Sequence, residues 1–197
     1  MPTALELAQA LRERFPDVVS EPREFRGEVT LEIGAERIAE VCAHAKRELG
    51  FDYLVDLTGV DNYETDPRWS VVYELAGLKH GCHLRLRTSV SEESSEVPTV
   101  SGVWRTANWH EREAYDMLGI RFRGHPDLRR ILMWEGYPYF PLRKDFPLAG
   151  RSSEVPDVAF THPAPLEGGP FVTAPGTLDA IAREPRVREV GEGRDAR

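Results

Sequence analysis

Imidazole and carboxylate side chains crowd one short stretch of this chain, at His110, Glu111, Glu113, Asp116 and His125, and a second group, His80, Cys82 and His83, stands upstream. Such residue types can hold zinc or iron and activate a bound water, so metal-assisted hydrolysis is the chemistry they could perform. Their spacing argues against it. The downstream group lacks two histidines at helical i, i+4 positions, and the upstream one falls between two alternating apolar runs, where a turn with exposed polar residues is the default. Cys42 and Cys82 form no C-x-x-C pair, whereas iron–sulfur clusters are usually held by about four cysteine thiolates. No G-x-G-x-x-G, P-loop or H-E-x-x-H segment occurs. The expectation is a chain with no catalytic, cofactor-binding or metal-ligating residue of its own and with two buried, inert thiols. A stand-alone metal-dependent enzyme is the rival reading.

Charges dominate the same stretch. Residues 107 to 147 hold seven Lys/Arg against six Asp/Glu, in a chain whose net charge is −8. Near balance within an acidic protein suggests interlocking pairs. Arg112 and Asp116, four apart on one helix face, can pair with each other, but an exposed pair of that kind contributes only ~0.3 to 0.5 kcal/mol. The overall acidity, with a pI near 5.3, is opposite to what neutralising a phosphate backbone requires, so nucleic acid is excluded as a partner.

The elements that must position these residues are legible upstream. Thr3-x-x-Glu6 is a capping-box pattern opening a helix with Ala4, Leu7, Ala8, Leu11 and Phe15 on one stripe. Val18-Val19 reads as a short strand. Val29, Leu31 and Ile33 alternate with polar residues as a half-buried strand does. Ile38, Val41, Cys42, Ala45 and Leu49 predict a second amphipathic helix. Three strands follow: one with Phe51, Tyr53, Val55 and Leu57 on its apolar face, one with Trp69, Val71, Tyr73 and Leu75, and one with Leu84 and Leu86. The last two are joined by a hairpin at Gly77 to Gly81. Apolar stripes and strand faces need partner surfaces, so the chain is expected to be α+β, a two-layer domain with helices packed on one face of a mixed sheet.

The regular pattern runs to about residue 100. Residues 101 to 150 hold one more helix, Asn108 to Leu118, closed by Gly119, and then extended chain; residues 151 to 197 read as an irregular tail. Nine of the fifteen prolines lie after residue 137, and proline withholds the amide donor that central strands and helices use. Apolar anchors such as Tyr137, Phe140, Leu142, Phe160 and Phe171 nevertheless stud this long proline-rich extension. They need a surface, which can be partly the chain's own core but is expected to be completed by another subunit. No run reaches the ~20 apolar residues of a membrane span, and the first residues show no secretory pattern, so the chain is expected to stay in the cytoplasm.

The stretch Glu111-Arg112-Glu113-Ala114-Tyr115-Asp116-Met117-Leu118-Gly119-Ile120-Arg121-Phe122-Arg123-Gly124-His125-Pro126-Asp127-Leu128-Arg129-Arg130-Ile131-Leu132 resembles the signature of the C subunit of the proton-pumping NADH:quinone oxidoreductase, respiratory complex I. Downstream, Pro141-Leu142-Arg143-Lys144-Asp145-Phe146-Pro147 is similar to the family's P-L-R-K-D-F-P segment, and Phe51 to Asp61 is similar to its first central strand. The likeness covers about residues 35 to 150. One departure is Tyr139-Phe140, where the family often has Gly-His. The resemblance implies a scaffold subunit without cofactors, packed in the peripheral arm against the D and B subunits, while FMN and iron–sulfur clusters in partner subunits carry electrons from NADH to quinone. It implies a peripheral position on the cytoplasmic side of the bacterial cell membrane. The equivalent subunit of a related membrane-bound hydrogenase is the alternative. Together with the charge balance, it marks Glu111, Arg112, Glu113, Asp116, His125, Asp127, Arg129, Arg130, Arg143, Lys144, Asp145 and Phe146 as expected interface residues, fixing register through guanidinium–carboxylate contacts.

Overall fold

A computed structural model describes residues 1–148. The chain divides into two compact units, Met1–Asp145 and Phe146–Arg197, of which the second is described only through Leu148. The expected tail, residues 151 to 197, lies outside the described residues.

The first unit begins with α1 (Ala4–Arg14), capped as its sequence dictates: Thr3 Oγ1 accepts from Glu6 N–H and the Glu6 carboxylate accepts from Thr3 N–H. Next come β1 (Arg23–Phe25), β2 (Glu28–Glu32), α2 (Ile38–Arg47) and the three nine-residue strands β3 (Tyr53–Asp61), β4 (Trp69–Gly77) and β5 (Cys82–Val90). The five strands form one mixed sheet in the order β1-β2-β5-β4-β3, with β2 parallel to β5 and every other pair antiparallel. A separate two-stranded parallel ribbon joins β6 (Glu96–Pro98) to β7 (Arg121–Arg123), and α3 (Ala107–Leu118) lies between them in sequence.

Residues paired across strands point the same way. The register Leu31↔Leu86, Leu86↔Tyr73 and Tyr73↔Leu57 therefore puts one apolar row on a single face, and this face carries the buried core with α1, α2 and α3. Gly59, beside Val71 on that face, is the point where α3 approaches the sheet. A Cβ there would lie 2.5 Å from Leu118 and 2.9 Å from Ile120. The opposite face carries Arg–Glu pairs, with Arg85 between Glu74 and Glu28, and Arg87 donating to Ser70.

Three local expectations are corrected. A bulge between Leu54 and Asp56 shifts the phase of β3, so Leu54 and Leu57 point inward while Tyr53 and Val55 are 48% and 42% exposed. Val18-Val19 forms no strand; Val19 makes a single bridge to Ile33. Cys42 is buried and its thiol is pushed up by burial and by nearby Glu111, but Cys82 is only partly buried.

Candidate partner-facing site built on the signature segment

The helix α3 ends on Gly119, whose φ of +83° is left-handed and whose N–H bonds Tyr115 C=O. The chain then doubles back over the helix, and its charges take up the polar groups along the way.

Asp116, fully buried, is the hub. Its Oδ2 accepts the N–H groups of Ile131, Leu132 and Met133 at 3.0, 2.7 and 2.8 Å, and its Oδ1 pairs with Arg130 Nη1 at 2.5 Å. Burial alone would push this carboxyl up, but the Met133 and Ile131 amides, Arg130 and the Leu132 amide together hold it below the usual carboxylate range. Arg130 also donates to Tyr139 C=O at 3.1 Å and lies over Phe140 and Tyr137. Arg112 does not pair with Asp116, as their i, i+4 spacing suggested. Its Nε and Nη2 donate to the carbonyls of Arg129 and Arg130 at 3.2 and 3.1 Å, and its guanidinium lies over Trp109. The doubled-back chain supplies a better acceptor set than the helix itself.

A second cluster closes the far end. Arg68, 6% exposed, makes a two-toothed pair with Asp61 at 2.9 and 3.0 Å and also reaches Glu92 at 2.6 Å and Asp145 at 2.8 Å. Asp61 additionally accepts Lys144 N–H at 2.8 Å. Burial opposes this carboxylate's charge, but Arg68 and the Lys144 amide keep it below its ordinary range. Arg143 donates to Leu118 C=O at 2.6 Å and lies against the rings of Trp69 and Phe140. The surface under residues 137 to 145 is thus the chain's own: Tyr137 is buried, and Leu142 N–H bonds Met117 C=O.

The remaining expected residues fall into two groups. Glu111 is fully buried among Thr99, Val100 and His125. Glu113, Asp127, Arg129 and Lys144 are exposed, Arg129 pairing with Asp127 at 2.9 Å, and Phe146 begins the second unit. Large apolar side chains stand out beside the charges: Trp109 is 60%, Leu132 63% and Leu142 59% exposed. Sequence reasoning missed Asp61, Arg68 and Thr99. Asp145 lies 77 positions from Arg68, and no local spacing signals such a partner. Among the described residues no group of three or more His, Cys, Asp or Glu is gathered as a metal set, and no helix is long and apolar enough to cross a membrane.

Residues 31–152 match the family described as the respiratory-chain NADH dehydrogenase, 30 Kd subunit. A protein of Rhizobium meliloti, named as the second of that organism's C subunits of NADH-quinone oxidoreductase, is 52% identical over 134 residues, 67% of this chain and 73% of that one. The C subunit of NADH-quinone oxidoreductase from Acidithiobacillus ferrooxidans is 40% identical over 98% of this chain and 97% of its own. Among solved structures, a trypsin-resistant fragment (1–134) of Nqo5 is 37% identical, covering 62% of this chain and 98% of that chain with a TM-score of 0.55. A membrane-bound sulfane sulfur reductase, at 22% identity and a TM-score of 0.63 over 72% of this chain and 84% of that one, shares the fold. Two signature blocks in their order, a matching fold and near full-length relatives lead to one conclusion: this chain belongs to the family of the 30 Kd subunit of respiratory-chain NADH dehydrogenase.

Proposed function

We propose that this chain is a cofactor-free scaffold subunit in the peripheral arm of an NADH:quinone oxidoreductase, on the cytoplasmic side of the bacterial cell membrane. The D and B subunits are its chief neighbours, and FMN and iron–sulfur clusters in partner subunits carry the electrons to quinone. One observation carries the reading. The buried charges Arg112, Asp116 and Arg68, with half-buried Arg130, are spent on holding the chain's own segments together, and the frame they make holds Trp109, Leu132 and Leu142 out toward solvent. Exposed aromatic and aliphatic anchors on a rigid, internally satisfied frame are what a permanent protein interface uses, with exposed Glu113, Arg129 and Lys144 supplying its polar rim.

The test is native pull-down of the chain with mass spectrometry of its partners, repeated with Trp109→Glu and Leu132→Glu together. Expected is recovery of the other arm subunits with wild type and loss of most of that recovery with the double variant, while urea unfolding of the chain alone is unchanged. Undiminished recovery, or a nickel-containing large subunit among the partners, overturns the reading.

A further inference from the structure

Glu111 stands apart from Asp116 and Asp145: it is completely buried, and among the described residues no lysine or arginine is paired with it. Its Oε1 accepts Val100 N–H at 2.7 Å, and its Oε2 meets the Thr99 hydroxyl. The titratable groups close enough for its charge to act on, or within 3.8 Å of it, are Cys42 of α2, Tyr73 of β4 and the His125 ring from the turn after β7. Arg112, next along α3, is committed to the carbonyls of residues 129 and 130, and Lys46 of α2 to Val103 C=O. His125 makes no hydrogen bond to Glu111: its Nδ1 lies 3.0 Å from Asp127 N–H, and its Nε2 lies 3.2 Å from Asn108 C=O and 3.8 Å from Glu111 Oε2.

We propose that Glu111 is a proton-carrying latch: with Oε2 protonated it ties α3 to the β6–β7 ribbon, and losing that proton loosens the ribbon. Oε2 is the atom that holds the proton, because Oε1 already accepts from an amide. The hydroxyl of Thr99 also lies 2.8 Å from Ser101 Oγ and has one hydrogen to give. A protonated Oε2 donating to Thr99 completes a chain in which Thr99 donates onward to Ser101. Thr99 and Val100 directly follow β6, and His125 closely follows β7; the strands are parallel, so one carboxyl sits where both leave the same end of the ribbon. Burial, acting against the Thr99 and Val100 hydrogen bonds, pushes this carboxyl up to about 7, in keeping with the geometry.

Linkage sets the sign. A carboxyl that binds its proton more tightly folded than unfolded costs stability as pH rises from its ordinary range, near 4.5, to about 7, and the loss stays constant above that. Between about pH 6 and pH 8 the unfolding constant of the full chain is expected to rise about tenfold from this group alone. Glu111→Gln keeps the Val100 and Thr99 bonds without an ionisable proton and is expected to remove that rise. Carboxyl carbon resonances of glutamate-labelled wild type are expected to show one titration near neutrality, absent in the variant. A wild type whose glutamates all titrate in the ordinary carboxylate range, or equal pH slopes in wild type and variant, overturns the latch. If Glu111→Gln does not fold, the wild-type titration decides alone.

Discussion

In the layer made by α1, α2 and the five-stranded sheet, apolar side chains such as Leu31, Tyr73 and Leu86 are fully buried against one another, and the charges are paired on the open sheet face. From α3 to Asp145 the arrangement differs: the charges that organise the segment, Glu111, Arg112 and Asp116, are buried, and Trp109, Leu132 and Leu142 are out. The first region is held by area removed from water, which is additive and forgiving of small losses. The second is held by directional bonds to a few hubs, where removing one partner strands the rest. A run of conspicuous charges can thus serve a fold from inside.

Three substitutions put that contrast at risk. Asp116→Ala removes one acceptor shared by three amides and Arg130, so a loss of about 3 to 5 kcal/mol is expected. Limited proteolysis should then cut first between residues 128 and 145, and uniform cleavage along the chain would erase the distinction between the regions. Leu86→Ala, in the middle of the apolar row, is expected to cost about 2 to 5 kcal/mol in urea unfolding, without that local cleavage. Thr3→Ala removes one half of the α1 capping box and is expected to cost about 1 kcal/mol, read as a small shift of the urea midpoint that leaves cleavage at 128 to 145 untouched.

The sheet was legible wherever the period of two ran unbroken. Trp69, Val71, Tyr73 and Leu75, with Leu84 and Leu86 opposite, point inward as their alternation dictates, and Gly119 ends α3 where the left-handed turn requires it. In β3 the bulge inserted a residue, and nothing in Phe51 to Leu57 announces it. The signature segment was legible as a motif but not as a geometry. Arg112 and Asp116 satisfy the helical pairing rule, yet their partners lie 14 to 18 positions away on a chain that doubles back. Short β1 escaped notice because all three of its residues are exposed and carry no burial pattern.

The grip of Asp116 is on main-chain amides at Ile131, Leu132 and Met133 rather than on their side chains. The path at residues 131 to 133 is therefore written largely by one distant carboxylate, and a change of side chain at exposed Leu132 leaves that amide grip in place. A scaffold wired in this manner can have its outward vocabulary rewritten position by position, keeping pace with drift in a neighbour while its own skeleton stays put.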